Sequence, residues 1–265
     1  PIVSERGIIY DRFRKELVEN VPNFSLAIIP QDLPRDPQKR EAIVSKVVEL
    51  TNVPQDQITD LLKKYSSYSY ASLVIKENLN YESALKLYIR SSELPGISIE
   101  KGSKRKYKVD SESVSSTPSF SHLLGYLGKL NDEEANRLKN DGYLLFDNIG
   151  KTGLEKSYEP ALRGKYGLKK VEVDAMGREQ NVLAEDPPQA GKNLILTIDI
   201  EAQKKLELLT KNMLVVTGKK KAAAIAMDPR NGSILALVSL PAFDSNEFSG
   251  GISQTNYNKY LRDQN

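Results

Sequence analysis

From Asn23 to Pro30 apolar and polar side chains alternate, with Phe24, Leu26 and Ile28 on one side and Pro30 closing the run, which predicts a half-buried strand. The stretch Arg6-Gly-Ile-Ile-Tyr-Asp-Arg12 reads as a second extended piece. Past the Pro- and Asp-rich residues 30–38 the period becomes helical: Ile43, Val47 and Leu50 recur on one face, and Ile58, Leu61 and Leu62 repeat the pattern. A third stripe, Ala84, Leu85, Tyr88 and Ile89, closes what reads as a small helical lobe.

Between residues 101 and 118 Ser, Lys and Gly dominate, the pattern of an exposed, mobile loop. A helix then starts at Asn131, with Glu134 three residues on as a capping box, and stops at Gly142. Residues 154–164 predict another helix with Leu154, Tyr158 and Leu162 on one face, and residues 167–184 a hairpin around Met176-Gly177. After residues 185–192 the pattern changes once more. A strand at 193–199 leads to a helix capped by Asp199, with Ala202, Leu206, Leu209 and Met213 at helical spacing. Two strands joined by the Asn231-Gly232 turn follow, so a new domain begins near residue 190. There is no internal repeat.

Composition sharpens this only in part. A chain of 265 residues fits two domains, or one domain with a large insertion, and 39% hydrophobic with 28% charged residues is ordinary globular material. Thirty-eight basic against 35 acidic residues leave +3, too little to argue for nucleic acid, and the basic run 101–108 offers only Tyr107 for stacking, so no nucleic-acid partner is expected. With no cysteine, disulfides, thiolate metal sites and cysteine nucleophiles are excluded. No apolar run approaches the ~20 residues needed to cross a bilayer.

The candidate chemistry is that of serine enzymes. Lys151-Thr152-Gly153 matches one motif of penicillin-reactive sites, and Ser83–Lys86 and Ser103–Lys106 have the Ser-x-x-Lys spacing that places an amine near a hydroxyl on a helix. Each has a plainer reading. Lys86 lies on a mostly polar helix face, Ser103 lies in the basic run, and Lys151-Thr152-Gly153 precedes a helix rather than forming a strand. Asp244-Ser245-Asn246 has the letters of the third motif in the wrong order. His122 is the single histidine, so a Ser-His-Asp triad would have to use it; a structural role is the default, and neither metal nor cofactor is expected.

Laid in order, the pieces carry a resemblance. Arg6-Gly7-Ile8-Ile9-Tyr10-Asp11-Arg12 is similar to an Arg-Gly-x-x-x-Asp-Arg box, and His122, Gly125 and Tyr126 to a His-x-x-Gly-Tyr segment. Gly150, Gly153, Leu154, Glu155, Tyr158, Leu162, Gly164 and Gly167 look like a Gly-x-x-Gly-x-Glu box. Together they resemble the class B penicillin-binding proteins, most closely the elongation type of rod-shape peptidoglycan synthesis. Residues from 190 to about 253 resemble the first helix and hairpin of the family's transpeptidase domain. Two departures stand out: Phe13-Arg14 replaces a usual glycine, and the Arg-x-x-Pro box is reduced to Arg105 and Tyr107.

The resemblance implies an α+β chain: a β-rich non-catalytic pedestal over 1–190 with a helical head lobe at 31–118, then an incomplete start of a transpeptidase domain over 191–265. Lys151-Thr152-Gly153 becomes a coincidence within a structural box, and an ion pair from Glu155 to Arg6 or Arg12 would tie distant segments together. The intact protein would cross-link peptidoglycan stem peptides through an acyl-serine, whereas this chain is expected to end before the nucleophile and to be inactive alone. Implied partners are a membrane glycosyltransferase and elongation scaffold proteins. The implied location is the extracytoplasmic face of the bacterial inner membrane, with an anchoring helix upstream. Two other readings are a self-contained docking module for such partners and a serine hydrolase using Ser83 and Lys86.

Overall fold

Helix caps and turn residues place most of the elements where local chemistry demands them. The computed structural model describes residues 2–65, 67, 69, 72–108, 119–144, 147–173, 179–249, 252 and 254–262. In chain order the first elements are β1 (Ile9–Tyr10), β2 (Glu16–Ile28), α1 (Pro37–Thr51), α2 (Gln55–Lys64), β3 (Leu73–Leu79), α3 (Tyr81–Ile89) and β4 (Ile97–Tyr107). Next come α4 (Ser121–Leu124), β5 (Leu127–Lys129), α5 (Asp132–Leu138), β6 (Asn148–Gly150), α6 (Gly153–Ser157), α7 (Glu159–Leu162), β7 (Leu168–Val173) and β8 (Glu179–Asp186). The last are β9 (Leu194–Ile195), α8 (Ile200–Thr217), β10 (Ala222–Met227), β11 (Ile234–Leu240), α9 (Ser245–Phe248) and α10 (Gln254–Arg262). This is the mixed α+β content that the sequence implies. The chain forms two compact units, Val21–Lys104 and the remainder, Pro1–Asn20 with Arg105–Asn265.

In the unit Val21–Lys104, Asp36 caps α1 by accepting from Gln38 N at 2.9 Å, and Asn52, in the left-handed region at φ 55°, ends it. The alternation of β2 pairs Phe24 with Leu79, Leu26 with Lys76 and Ile28 with Leu73 of antiparallel β3. Leu26, Ile28, Val47, Ile58 and Ile75 form the core of the unit. The expected α3 stripe is corrected. Ala84 and Leu87 are buried, whereas Leu85, Tyr88 and Ile89 are 43%, 69% and 70% exposed. Apolar residues surround most of this helix, so spacing alone does not choose the docked face.

Residues 101–107 are likewise not a loop but the second half of β4. Their composition hides a short alternation in which Arg105 and Tyr107 are buried and Lys106 is exposed. The remainder of the expected loop, 109–118, lies outside the described residues, as does the Met176-Gly177 turn; the flanking β7 and β8 pair antiparallel from Leu168↔Asp186 to Val173↔Glu179.

In the second unit β1 runs antiparallel to the start of β2 and parallel to β9. Around α5 the capping box is reciprocal: Asn131 N donates to Glu134 Oε2 at 2.9 Å, and Glu134 N to Asn131 Oδ1 at 2.7 Å. The helix expected over 154–164 divides into α6 and α7, because Pro160 has no N–H to continue the ladder, and Tyr158 is left half-exposed at the break. Helix α8 starts on its Asp199 cap and packs on the β10–β11 hairpin, whose turn uses Gly232 at φ 74°. Its docked face centres on Gln203 and Thr210, leaving Leu209 and Met213 exposed. Gln203 supplies the reason: its amide exchanges hydrogen bonds with both the N–H (2.7 Å) and the carbonyl (2.8 Å) of Leu237 on β11.

Candidate functional site

The strongest concentration of buried charge lies in the second unit, where four sequence-distant segments meet. Glu155, at the start of α6, is fully buried and receives two guanidiniums: Arg6 Nε donates to Oε2 at 2.7 Å, and Arg105 Nε to Oε1 at 2.8 Å. Arg6 also donates through Nη2 to Glu159 Oε2 at 2.6 Å and to the carbonyl of Glu155 at 3.2 Å. Arg105 Nη1 donates to Asn20 Oδ1 at 2.9 Å, and Asn20 Nδ2 donates to Arg6 O at 2.6 Å. Two arginines against two glutamates leave the cluster neutral, which is how charge is accommodated out of water. Burial works against the Arg6 charge, yet the attraction of Glu155 and Glu159 outweighs it and lifts its pKa above the ordinary arginine value.

The glycines of the box are fixed by crowding around this cluster. A Cβ on Gly150 would lie 2.1 Å from Glu155 O, and Gly150 N donates to Glu159 Oε2 at 2.9 Å. Gly153 has φ 58°, and a Cβ there would sit 2.4 Å from Leu123 O. Gly7 and Gly164 lie against the carbonyls of Lys192 and Gln189.

Of the sequence-predicted residues, Arg6, Gly150 and Glu155 come together here, while others serve elsewhere. Asp11 is buried; its Oδ1 accepts from Phe13 N and Lys15 N, both at 2.8 Å, which fixes the β1–β2 turn. Arg12 makes no contact with Glu155: its N–H donates to Ile198 O at 2.9 Å and its guanidinium lies over the Phe13 ring. Tyr158 sits half-exposed between α6 and α7. Within the Phe13-Arg14 pair, Arg14 adopts φ 62°, a left-handed conformation that glycine favours.

Sequence reasoning missed Glu159 as a second carboxylate for Arg6. The available signal was its position four residues after Glu155, the spacing that aligns side chains on a helix. It also missed the neighbouring Tyr143, whose hydroxyl donates to Glu159 Oε1 at 3.2 Å, and Arg163, whose guanidinium stacks 3.5 Å from the Tyr143 ring centroid.

The serine-enzyme motifs find no catalytic setting. Lys151 pairs with Glu134, and Thr152-Gly153 forms the turn into α6. Lys86 is exposed and its ammonium is bonded to Glu82 at 2.6 Å, turned to solvent rather than into a pocket beside Ser83. Ser103–Lys106, and a further Ser98–Lys101 that shares the spacing, lie on β4, where residues three apart face opposite sides. His122 Nε2 lies 3.0 Å from Pro241 O, with its ring edge-on to Phe243 at 5.2 Å. Among the described residues no group of His, Asp and Glu is placed to hold a metal ion, and no helix is long and apolar enough to cross a membrane.

This geometry coincides with a family match. Residues 1–196 fit the model described as the penicillin-binding protein dimerisation domain. The chain belongs to that family. Over 270 residues and 100% of its length it is 36% identical to the peptidoglycan D,D-transpeptidase MrdA of Escherichia coli K12, and it covers 40% of that protein. It is 31% identical to penicillin-binding protein 3 of Bacillus subtilis 168, covering 36% of it. The chain thus spans well under half the length of these relatives. Among solved structures, the Helicobacter pylori complex between penicillin-binding protein PBP2 and MreC contains a chain that matches with a TM-score of 0.78 and 26% identity, over 99% of this chain and 46% of that one. Within the matched residues 1–196, the Glu155 cluster joins Arg6, ahead of β1, and Arg105, near the end of β4, to the start of α6.

Proposed function

We propose that this chain is the pedestal-bearing part of an elongation-type peptidoglycan D,D-transpeptidase. The observation that carries the reading is the full-length similarity to proteins of that name, with the three boxes tied into one buried cluster. In the reaction, a serine attacks the carbonyl of the penultimate D-Ala of a stem peptide and expels the terminal D-Ala. An amine of a neighbouring strand then takes the acyl group and frees the serine. The chain's own residues act as scaffold: the pedestal over 1–190, with its head at 31–118, positions a transpeptidase domain beginning near 191. The nucleophile lies in the polypeptide that follows residue 265 in the intact enzyme, and the protein works at the extracytoplasmic face of the inner membrane.

For docking, the same reading makes the head the surface for an elongation scaffold protein and for a membrane glycosyltransferase. A solved relative in complex with MreC supports the first partner. Tyr81, Leu85, Tyr88 and Ile89 expose an apolar stripe on α3, with Glu82 and Lys86 beside it neutralising each other. Two measurements test the proposal. Mass spectrometry after incubation with labelled penicillin should show no adduct on the 265-residue chain and one adduct on a polypeptide extended through the next domain; an adduct on the shorter chain refutes the assignment. A Tyr88→Glu, Ile89→Glu variant should bind an MreC-type scaffold at least tenfold more weakly, and unchanged affinity would remove α3 from the interface.

A further inference from the structure

The end of β4 belongs to two sets of contacts at once. While the Arg105 guanidinium enters the Glu155 cluster, its carbonyl accepts a hydrogen bond from Ser249 Oγ at 2.5 Å. Two residues on, Asn246 pairs with the backbone of Tyr107 as a neighbouring strand would. Its Oδ1 accepts from Tyr107 N, and its Nδ2 donates to Tyr107 O, both at 2.9 Å. Asn246 is itself fixed, because its N–H donates to Asp244 Oδ1 at 2.8 Å at the start of α9. A second route reaches the same helix. Phe248 stacks on Tyr126 at 4.2 Å, Phe243 lies edge-on to it at 5.9 Å, and Tyr126 O accepts from Lys151 N at 2.9 Å, just ahead of α6.

We propose that Arg105–Tyr107 is a transmission element through which the state of the Glu155 cluster sets how firmly α9 is seated. The guanidinium and the carbonyl of Arg105 share one Cα. If Glu155 or Arg6 loosens, Arg105 regains access to water only by rotating or sliding the strand end, and that motion withdraws the carbonyl from Ser249 and both Tyr107 groups from Asn246. By linkage the coupling is reciprocal, so unseating α9 must loosen the cluster to the same degree. The two sets of contacts share one backbone segment, Arg105–Tyr107, so neither can shift without the other. The inference rests on this geometry alone. Under the function proposed above, it would let a partner that strains the pedestal change the seating of the segment leading into the transpeptidase domain.

Hydrogen–deuterium exchange on the 265-residue chain tests it, with Glu155→Gln, Arg6→Lys and Asn246→Ala compared with the unaltered protein. The Tyr107, Glu247 and Ser249 amides should exchange at least tenfold faster in Glu155→Gln and several-fold faster in Arg6→Lys, while those of β10 stay within twofold. Asn246→Ala should in turn accelerate the amides of α6. Arg6→Lys keeps the charge count and carries the comparison if Glu155→Gln does not fold. Two results would overturn the proposal: unchanged exchange at α9 in a folded cluster variant, or β10 accelerating as much as α9, which is general destabilisation.

Discussion

Replacing Glu155 by Gln preserves the shape of the side chain and removes the charge on which two buried arginines converge. At an effective dielectric near 20, each guanidinium about 4 Å from the carboxylate is attracted by about 4 kcal/mol. Arg6 keeps Glu159, whereas Arg105 keeps only Asn20. The variant also escapes the desolvation of the carboxylate, which returns several kcal/mol. Its amide N–H₂ group, however, points donors at donors. The net expectation is the loss seen when one member of a buried pair is removed, about 3–5 kcal/mol. For a unit of this size that lowers the melting temperature by roughly 6–20 °C. The chain has no tryptophan, so unfolding is best followed by far-ultraviolet circular dichroism in urea, with tyrosine emission as a second probe. A companion cycle of Glu155→Met, Arg105→Met and the double variant isolates the pair. Because paired apolar replacement is often nearly neutral, the double variant should recover well over ~1 kcal/mol relative to the sum of the singles. A loss below ~1 kcal/mol for Glu155→Gln, or additivity within ~0.5 kcal/mol, would refute the view that the cluster holds these segments together.

Other expectations follow from single positions. Arg14→Gly relieves a left-handed φ of 62° but adds unfolded-state entropy, so a net stabilisation of about 0.5 kcal/mol is expected, and a lowered melting temperature would contradict it. Gly150→Ala forces a methyl group into the Glu155 carbonyl and should cost at least ~2–3 kcal/mol in the same urea titration; a loss under ~1 kcal/mol would mean that the backbone gives way. Burial and the adjacent Glu159 push the Tyr143 hydroxyl up to about 12, so the folded state binds the extra proton. Stability from this group is therefore full below pH 10 and lost as pH rises toward 12, and Tyr143→Phe should flatten that alkaline decline.

What was legible in the sequence is what local hydrogen bonding decides. The Asn131/Glu134 capping box, the Asp199 cap and the Asn231-Gly232 turn need only neighbours within a few residues, and each forms as its letters imply. What was not legible depends on tertiary partners. The second half of β4 reads as a loop because lysines and serines fill it, yet Arg105 is buried where the distant Glu155 neutralises it and Asn20 accepts from its Nη1, leaving Nη2 without a hydrogen-bond partner among the described residues. On α8 the apolar count favours Leu209 and Met213, but the docked face is chosen by Gln203, which pairs with the backbone of β11. For the cluster itself, the resemblance offered Arg6 or Arg12 as the partner of Glu155. Only the fold separates them, by turning Arg12 toward Phe13.

The same reasoning explains why Lys151-Thr152-Gly153 misleads as a string. The catalytic motif belongs on a strand beside a nucleophile, with backbone groups free to meet substrate. Here Lys151 N is already committed to Tyr126 O, its ammonium to Glu134, and Gly153 is held in a left-handed turn against Leu123. The backbone of the tripeptide leads into α6, with Thr152 O accepting from Lys156 N, and the first carboxylate of α6 is Glu155. Three letters that in one setting open an acyl-enzyme site serve in this one to aim a carboxylate at Arg6 and Arg105. The difference lies in the backbone conformation and in the partners, neither of which the tripeptide specifies.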